Sequence, residues 1–227
     1  MINDKIDLIG LSLNEISETL INKDLIRKKE TFRSKQLWHW LYFRGETDFE
    51  KMTTVSKDLR KKLNDHYVIN RPKVKSHQLS KDGTQKWLLE LSDNNMIETV
   101  YIPEENRGTL CVSSQVGCTL NCKFCFTGTQ KLVRNLTSGE IISQLLLAKD
   151  HLSDWPNDKS RKISNIVFMG MGEPLYNYKN VKNAAEIMGD KEGIQLSTKR
   201  ITLSTSGIVP EIIKWGHEVD SRLAISL

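Results

Sequence analysis

From residue 117 onward, short apolar runs alternate with segments of helical period, and this alternation limits the fold more than any other feature of the sequence. Ile163 to Met169, Arg200 to Ser204 and Arg222 to Leu227 read as strands. Ser138 to His151 (with Ser138 as the cap), Asn180 to Met188 and Ile208 to Trp215 read as helices. Strand followed by helix, repeated, builds a parallel sheet with helices outside it. Thr109 to Val116 reads as one more strand upstream. Each of the four strands ends at a polar or glycine-rich segment, and parallel α/β folds place their sites at such ends. The last strand looks buried, yet no helix follows to cover it. That pattern predicts a fragment from which further strand–helix units are missing.

Upstream the texture differs. Leu13, Ile16, Leu20 and Ile21 mark a helix within Leu11 to Ile26. Leu37, Trp38, Leu41 and Tyr42 mark another over Phe32 to Phe43, with Gly45 at its end. Val55 to Leu63 is a short third helix with Ser56 as its cap. Arg71-Pro72 is a boundary, after which Gln85 to Leu91 and Met96 to Ile102 flank Asp93-Asn94-Asn95 as a hairpin. The organisation expected is a helical accessory domain over 1–70, a β-hairpin extension over 71–110 carrying Glu98, and an α/β part over 111–227.

All four cysteines lie between Cys111 and Cys125. Cys118, Cys122 and Cys125 form a CxxxCxxC spacing, which places three thiolates on one loop with no fourth ligand in the pattern. A structural zinc site closes its tetrahedron with four protein ligands. Three thiolates suit an iron–sulfur cluster with one iron left open. For zinc, Cys111 is the available fourth thiol, but it sits seven residues upstream in a strand, and the five histidines are distant.

Two strand ends downstream carry polar chemistry. In Gly170-Met171-Gly172-Glu173-Pro174 the glycines allow close backbone approach to a ligand, and Glu173 can accept hydrogen bonds from an ammonium group. The alternative is a plain turn. Thr202-Leu203-Ser204-Thr205-Ser206-Gly207 offers hydroxyls and a helix N-terminus to a carboxylate or ribose, or simply a cap at Ser206. Glu98 is by residue type alone a solvent-facing strand glutamate.

Composition adds two limits. No apolar run approaches the ~18 residues of a membrane span, and the N-terminus lacks the basic and apolar regions of a secretory signal. A reducing, cytoplasmic setting follows, in which clustered thiols favour metal or redox chemistry. The net charge of +5 lies wholly in residues 1–75, with 16 basic against 11 acidic residues. This is either a solvated helical face or a footprint for phosphates. Arg33, Lys35 and Arg44 around Trp38-His39-Trp40 suit base stacking, although Trp38 at helical spacing is more simply core.

CxxxCxxC with Phe124 before the last cysteine is the pattern of the radical S-adenosylmethionine (SAM) superfamily. The wider string closely resembles the RlmN/Cfr family, radical methyltransferases acting on adenine in RNA. It runs from Leu110-Cys111-Val112-Ser113-Ser114-Gln115-Val116-Gly117-Cys118 through Asn135-Leu136 and Gly170-Met171-Gly172-Glu173-Pro174-Leu175 to Ser204-Thr205-Ser206-Gly207.

The resemblance implies a partial (β/α) barrel of radical SAM type, preceded by the helical domain and the hairpin. It implies a 4Fe–4S cluster on Cys118, Cys122 and Cys125, and SAM bound by Gly172, Glu173, Ser204, Ser226 and Leu227. It also implies methylation of adenine carbon 2 in 23S rRNA and tRNA, with carbon-8 methylation as the alternative within the family and a zinc-stabilised RNA-binding module as the alternative outside it. In the family a downstream cysteine carries a methyl group, a 5′-deoxyadenosyl radical activates it, and the resulting carbon radical adds to adenine. Glu98 matches the proposed general base, and burial would raise its pKa toward neutrality. Cys111 matches the thiol that frees the product as a disulfide forms. Further implications are an external electron donor such as flavodoxin, a monomer, and no membrane partner. No cysteine follows Cys125 here, so the methyl carrier is missing and turnover is not expected of this chain.

Overall fold

A computed structural model describes residues 5–156 and 161–226. Strand β1 (Ile6–Asp7) pairs in parallel with β2 (Tyr67–Val68) and brackets three helices, α1 (Leu13–Asn22), α2 (Phe32–Tyr42) and α3 (Lys57–His66). Ser12 starts α1 with a capping box: its backbone N–H donates to the Glu15 carboxylate at 2.7 Å, and its hydroxyl accepts the Glu15 backbone N–H. Ser56 holds the cap position of α3 without bonding through its side chain.

The main sheet follows. Strands β3 (Lys73–Leu79), β4 (Gln85–Glu90), β5 (Met96–Glu104) and β6 (Arg107–Cys111) run as an antiparallel meander. A two-residue pair, β7 (Gln115–Val116) with β8 (Arg134–Asn135), stands apart from it. Then come α4 (Ser138–Leu152), β9 (Asn165–Phe168), α5 (Tyr178–Gly189), β10 (Ile201–Thr205), α6 (Val209–Glu218) and β11 (Arg222–Ile225). The strand order is β11-β10-β9-β6-β5-β4-β3. Strand β6 pairs antiparallel with β5 and parallel with β9, so the hairpin and the strand–helix units share one continuous sheet.

Three local expectations change. The strand foreseen over Thr109 to Val116 breaks after Cys111. Gln144 takes the backbone of Ser113 at both ends, accepting its N–H at 2.8 Å and donating to its carbonyl at 3.0 Å, while the Ser114 N–H turns to the Met171 carbonyl. Those groups are lost to the ladder, and the chain turns. The cap of α4 is Thr137, in a capping box with Glu140; Ser138 lies inside the helix and donates to Asn180. Strand β11 pairs only with β10, at the sheet edge, and its Leu223 and Ile225 are exposed, against the buried strand expected.

Alternation divides the sheet into two faces. Trp87, Leu89, Ile97, Leu110, Ile166, Phe168, Ile201 and Leu203 point one way and join the core formed with Ile141, Ile142, Leu145 and Leu146 of α4. The other face is only half covered. The register aligns Val100, Cys111, Val167, Thr202 and Arg222 in one row across it.

The N-terminal unit is fastened to this layer by the same core, which runs from Leu8 to Val219. Trp38 is 2% exposed, and its Nε1 donates to Asp190 at 2.8 Å. Gly10 has φ +88°, and a Cβ there would lie 2.2 Å from the Gly139 nitrogen, so only glycine lets this turn meet the start of α4. Among the described residues no helix is long and apolar enough to cross a membrane.

Candidate cofactor site

The cysteine loop leaves the fold at β7 and returns at β8, with Gln115 opposite Asn135 and Val116 opposite Arg134. Gly117 turns with φ +74°, and a Cβ on it would lie 2.2 Å from the Lys131 carbonyl oxygen. Inside the loop the Cys125 N–H donates to the Cys122 carbonyl at 3.1 Å, and the Gly128 N–H to the Cys125 carbonyl at 3.0 Å. The Cys118 sulfur accepts the Leu120 N–H at 3.4 Å, and burial pushes this thiol up from its ordinary range. All four cysteines are free thiols.

Cys118, Cys122 and Cys125 line one cavity of about 330 Å³. Gly172, Glu173, Ser204, Ser206 and Ser226 line it as well. Leu227 lies outside the described residues. Among those residues no group of three or more His, Cys, Asp or Glu side chains is gathered to hold a metal ion; the thiols share a wall. The volume falls in the range of small-molecule sites. Three soft donors and a buried carboxylate lining one cavity fit a cluster together with a cofactor carrying an ammonium group.

Glu173 is 4% exposed. One carboxylate oxygen accepts the Leu175 N–H at 3.1 Å, and the other accepts the Ser206 N–H at 2.9 Å and its hydroxyl at 3.2 Å. Ser206 therefore braces Glu173 across two strand ends, where sequence reasoning allowed a helix cap; α6 is instead preceded by Ile208, without a side-chain cap. Gly172 has φ +96°, and a Cβ there would lie 2.4 Å from the Cβ of Gln115. Gln115 is fully buried and bonds Thr119, Asn135 and the backbone of Glu173. Asn177, also buried, donates to the carbonyls of Ser114 and Leu136. Sequence reasoning assigned no role to Gln115 or Asn177, and to Ser206 only a helix cap or a place among ligand-facing hydroxyls.

Glu98 and Cys111 stand on the half-covered face of the sheet. Cys111 is opposite Val100, so Glu98 is its diagonal neighbour on the same face, about 7–8 Å away by sheet geometry. Burial pushes the Cys111 thiol up to about 11, partly offset by a bond with the Met169 backbone. The burial foreseen for Glu98 is absent. Its side chain is 45% exposed and pairs with Lys86 Nζ at 3.0 Å, because β4 and β5 bring the two together on the open face.

On the basic N-terminal face the core reading of Trp38 holds. Trp38 is core, and Trp40 is half-buried, donating to Thr54 with the Arg44 guanidinium 4.9 Å from its ring centre. The exposed aromatic is Phe32, at 51%, with Lys28, Lys29, Arg33 and Lys35 around it in sequence.

The sequence profile of the Radical SAM superfamily matches residues 112–227. The chain belongs to the radical SAM superfamily. The profile of the ribosomal RNA large subunit methyltransferase N-terminal domain matches residues 6–69. The dual-specificity RNA methyltransferase RlmN of Bradyrhizobium diazoefficiens is 54% identical over 98% of this chain, and that of Rhizobium meliloti 55% over 99%. Each match covers 58% of the relative, so the chain spans somewhat over half the length of these curated relatives. Among solved structures, a radical SAM methyltransferase from Sphaerobacter thermophilus superposes with a TM-score of 0.87 at 36% identity, over 98% of this chain and 63% of that one. The fold is thus a partial radical SAM domain with an N-terminal unit, and the cofactors implied by the family are a 4Fe–4S cluster and SAM. Carbon-8 methylation and the zinc module are not favoured by these matches.

Proposed function

We propose that this chain supplies the cofactor site and two substrate-side residues of an enzyme methylating carbon 2 of adenine in 23S rRNA and tRNA. The observation that carries the proposal is the single cavity joining Cys118, Cys122 and Cys125 to Gly172, Glu173, Ser204 and Ser226. When bound, the cluster supplies the electron that cleaves SAM reductively. Cys118, Cys122 and Cys125 hold it. Glu173, braced by Ser206, accepts the methionine ammonium, and Gly172 lets the backbone come close to the cofactor. Ser204, Ser226 and Leu227 complete the cofactor contacts.

On the open face Glu98 takes the proton from the adenine ring, and Lys86 holds its carboxylate in place. Cys111 forms the disulfide that releases product, its partner being the methyl-carrying cysteine that the family resemblance sets downstream and that is not among the four in this sequence. The domain roles follow: residues 1–70 bind RNA, 71–110 carry Glu98, and 111–227 form the barrel part. The family resemblance further implies a cytoplasmic monomer fed by a donor such as flavodoxin, and the exposed Phe124 and Phe126 beside the cysteines offer it a surface.

In an enzyme that includes the methyl-carrying cysteine, Glu98→Gln is expected to accumulate RNA covalently attached to protein, seen as a denaturation-resistant gel shift. Free 2-methyladenosine formed at the wild-type rate contradicts the assignment of Glu98. Charge reversal of Lys28, Lys29 and Lys35 is expected to weaken RNA binding and flatten its salt dependence; an unchanged slope contradicts the role of the N-terminal face.

A further inference from the structure

We infer that Gln115 is a positioning residue that sets the cysteine loop and the Glu173 segment at a fixed separation, so that cluster and cofactor register with one another. The inference rests on the functional reading above and deepens it. Gln115 is fully buried, and every polar position of its amide is used. Its Oε1 accepts the Glu173 N–H at 2.9 Å and the Thr119 N–H at 3.2 Å. Its Nε2 donates to the Thr119 hydroxyl at 2.9 Å and to Asn135 Oδ1 at 2.7 Å. Thr119 directly follows the first cysteine of the triad. Asn135 is where the loop returns, and its own Nδ2 donates to the Tyr176 carbonyl at 3.1 Å. One side chain thus ties both ends of the cysteine loop to the strand end that carries the carboxylate.

The packing reinforces the hydrogen bonds. Gln115 Cβ and Cγ occupy the space a side chain at residue 172 would need, at 2.4 and 2.6 Å from a built Cβ. The glycine and the glutamine interlock, and the backbone N–H of Gln115 is itself fixed to the Met171 carbonyl at 3.1 Å. An apolar residue of the same size would keep the volume. It would leave the Glu173 N–H, the Thr119 N–H and the Asn135 carbonyl without this buried partner, so the two segments would lose their common anchor.

The test uses the 227-residue chain, reconstituted anaerobically with iron and sulfide, in wild-type, Gln115→Leu and Thr119→Val forms. Melting temperature, iron per chain, iron release to a chelator and equilibrium binding of labelled SAM are measured on each. Gln115→Leu is expected to lose at least ten-fold in SAM affinity and to release iron several-fold faster, in chains that still melt cooperatively. A purely structural role would lower the melting temperature and leave the affinity of the folded chains unchanged. Thr119→Val, at an exposed position, cuts only the loop arm and is expected to speed iron release while moving SAM affinity less. Should Gln115→Leu fail to fold, Thr119→Val decides, and a wild-type release rate overturns the inference. Wild-type affinity and wild-type release in folded Gln115→Leu also overturn it. A wild-type chain that takes up neither iron nor SAM overturns the functional reading, and this inference with it.

Discussion

Glu173 is held by three donors and Cys111 by almost none, and that contrast sets what each residue can do. A buried carboxylate whose oxygens are aimed by Ser206 and Leu175 is pre-organised for a cation. Glu173→Gln keeps the shape but removes the charge. A loss of about ten-fold or more in SAM affinity is expected by equilibrium dialysis, and unchanged binding would remove its role. Cys111, pushed up to about 11 by burial, stays protonated in the folded chain. An exposed cysteine ionises near ~8.5, so the unfolded chain sheds this proton first. The stability contributed is intact below ~8.5 and declines as pH rises toward 11. Alkylation of Cys111 by iodoacetamide should therefore be slow at pH 8 and rise with a midpoint near 11; fast modification at pH 8 contradicts the burial. The cysteine triad and Glu173 were legible in the sequence because spacing and glycines announce them. Gln115 and Ser206 were not, because their importance lies in partners 58 and 33 residues away in the chain.

At the scale of elements, hydrophobic period located α1, α2, α4 and α5 and the hairpin, and it did less well where side chains compete for the backbone. The strand after Thr109 was read as continuous because its apolar alternation runs on to Val116, but Gln144 captures Ser113 and ends the ladder. Strand β3 had no strong signal, since all of it but Val74 is exposed and it lacks an alternating apolar face. The cap of α4 was placed one residue late, between two hydroxyls that differ only in which meets Glu140. Thr137→Ala should cost about 1 kcal/mol, read as a shifted urea midpoint with an unchanged slope; Ser138→Ala should cost less, and the reverse ranking contradicts the cap. The sheet register does what no local pattern announces: it puts Glu98, Cys111 and Ser204 on one face, although 106 residues separate the first from the last.

Over the whole molecule, one core joins the N-terminal helices to the sheet. A charge excess read from composition marks a surface of this body; it does not mark a detachable arm. The Trp38 side chain belongs to the joint with α5, leaving Phe32 and its lysines as the part open to a polyanion. Among the longest-range fastenings, Arg71 bonds Asp150 at 2.7 Å where the helical unit meets α4. Nearby, the buried Lys149 pairs with Asp154, whose carboxylate also caps the N–H groups of Lys162 and Ile163 ahead of β9. Removing one partner strands a buried charge, so Asp154→Ala should cost about 3–5 kcal/mol, a large share of the ~5–15 kcal/mol typical of a folded domain. A loss under ~1 kcal/mol by chemical denaturation would contradict that burial.

The claim on which the rest stands is that the three thiols of one cavity wall hold a single cluster. It is tested most directly by counting iron and acid-labile sulfide in the chain after anaerobic reconstitution, in wild-type and Cys122→Ala forms. About four irons per wild-type chain are expected, from a 4Fe–4S cluster on three cysteine ligands, and loss of that iron in the variant. Iron retained in full by Cys122→Ala, or a colourless wild-type chain holding a single zinc ion, would contradict it.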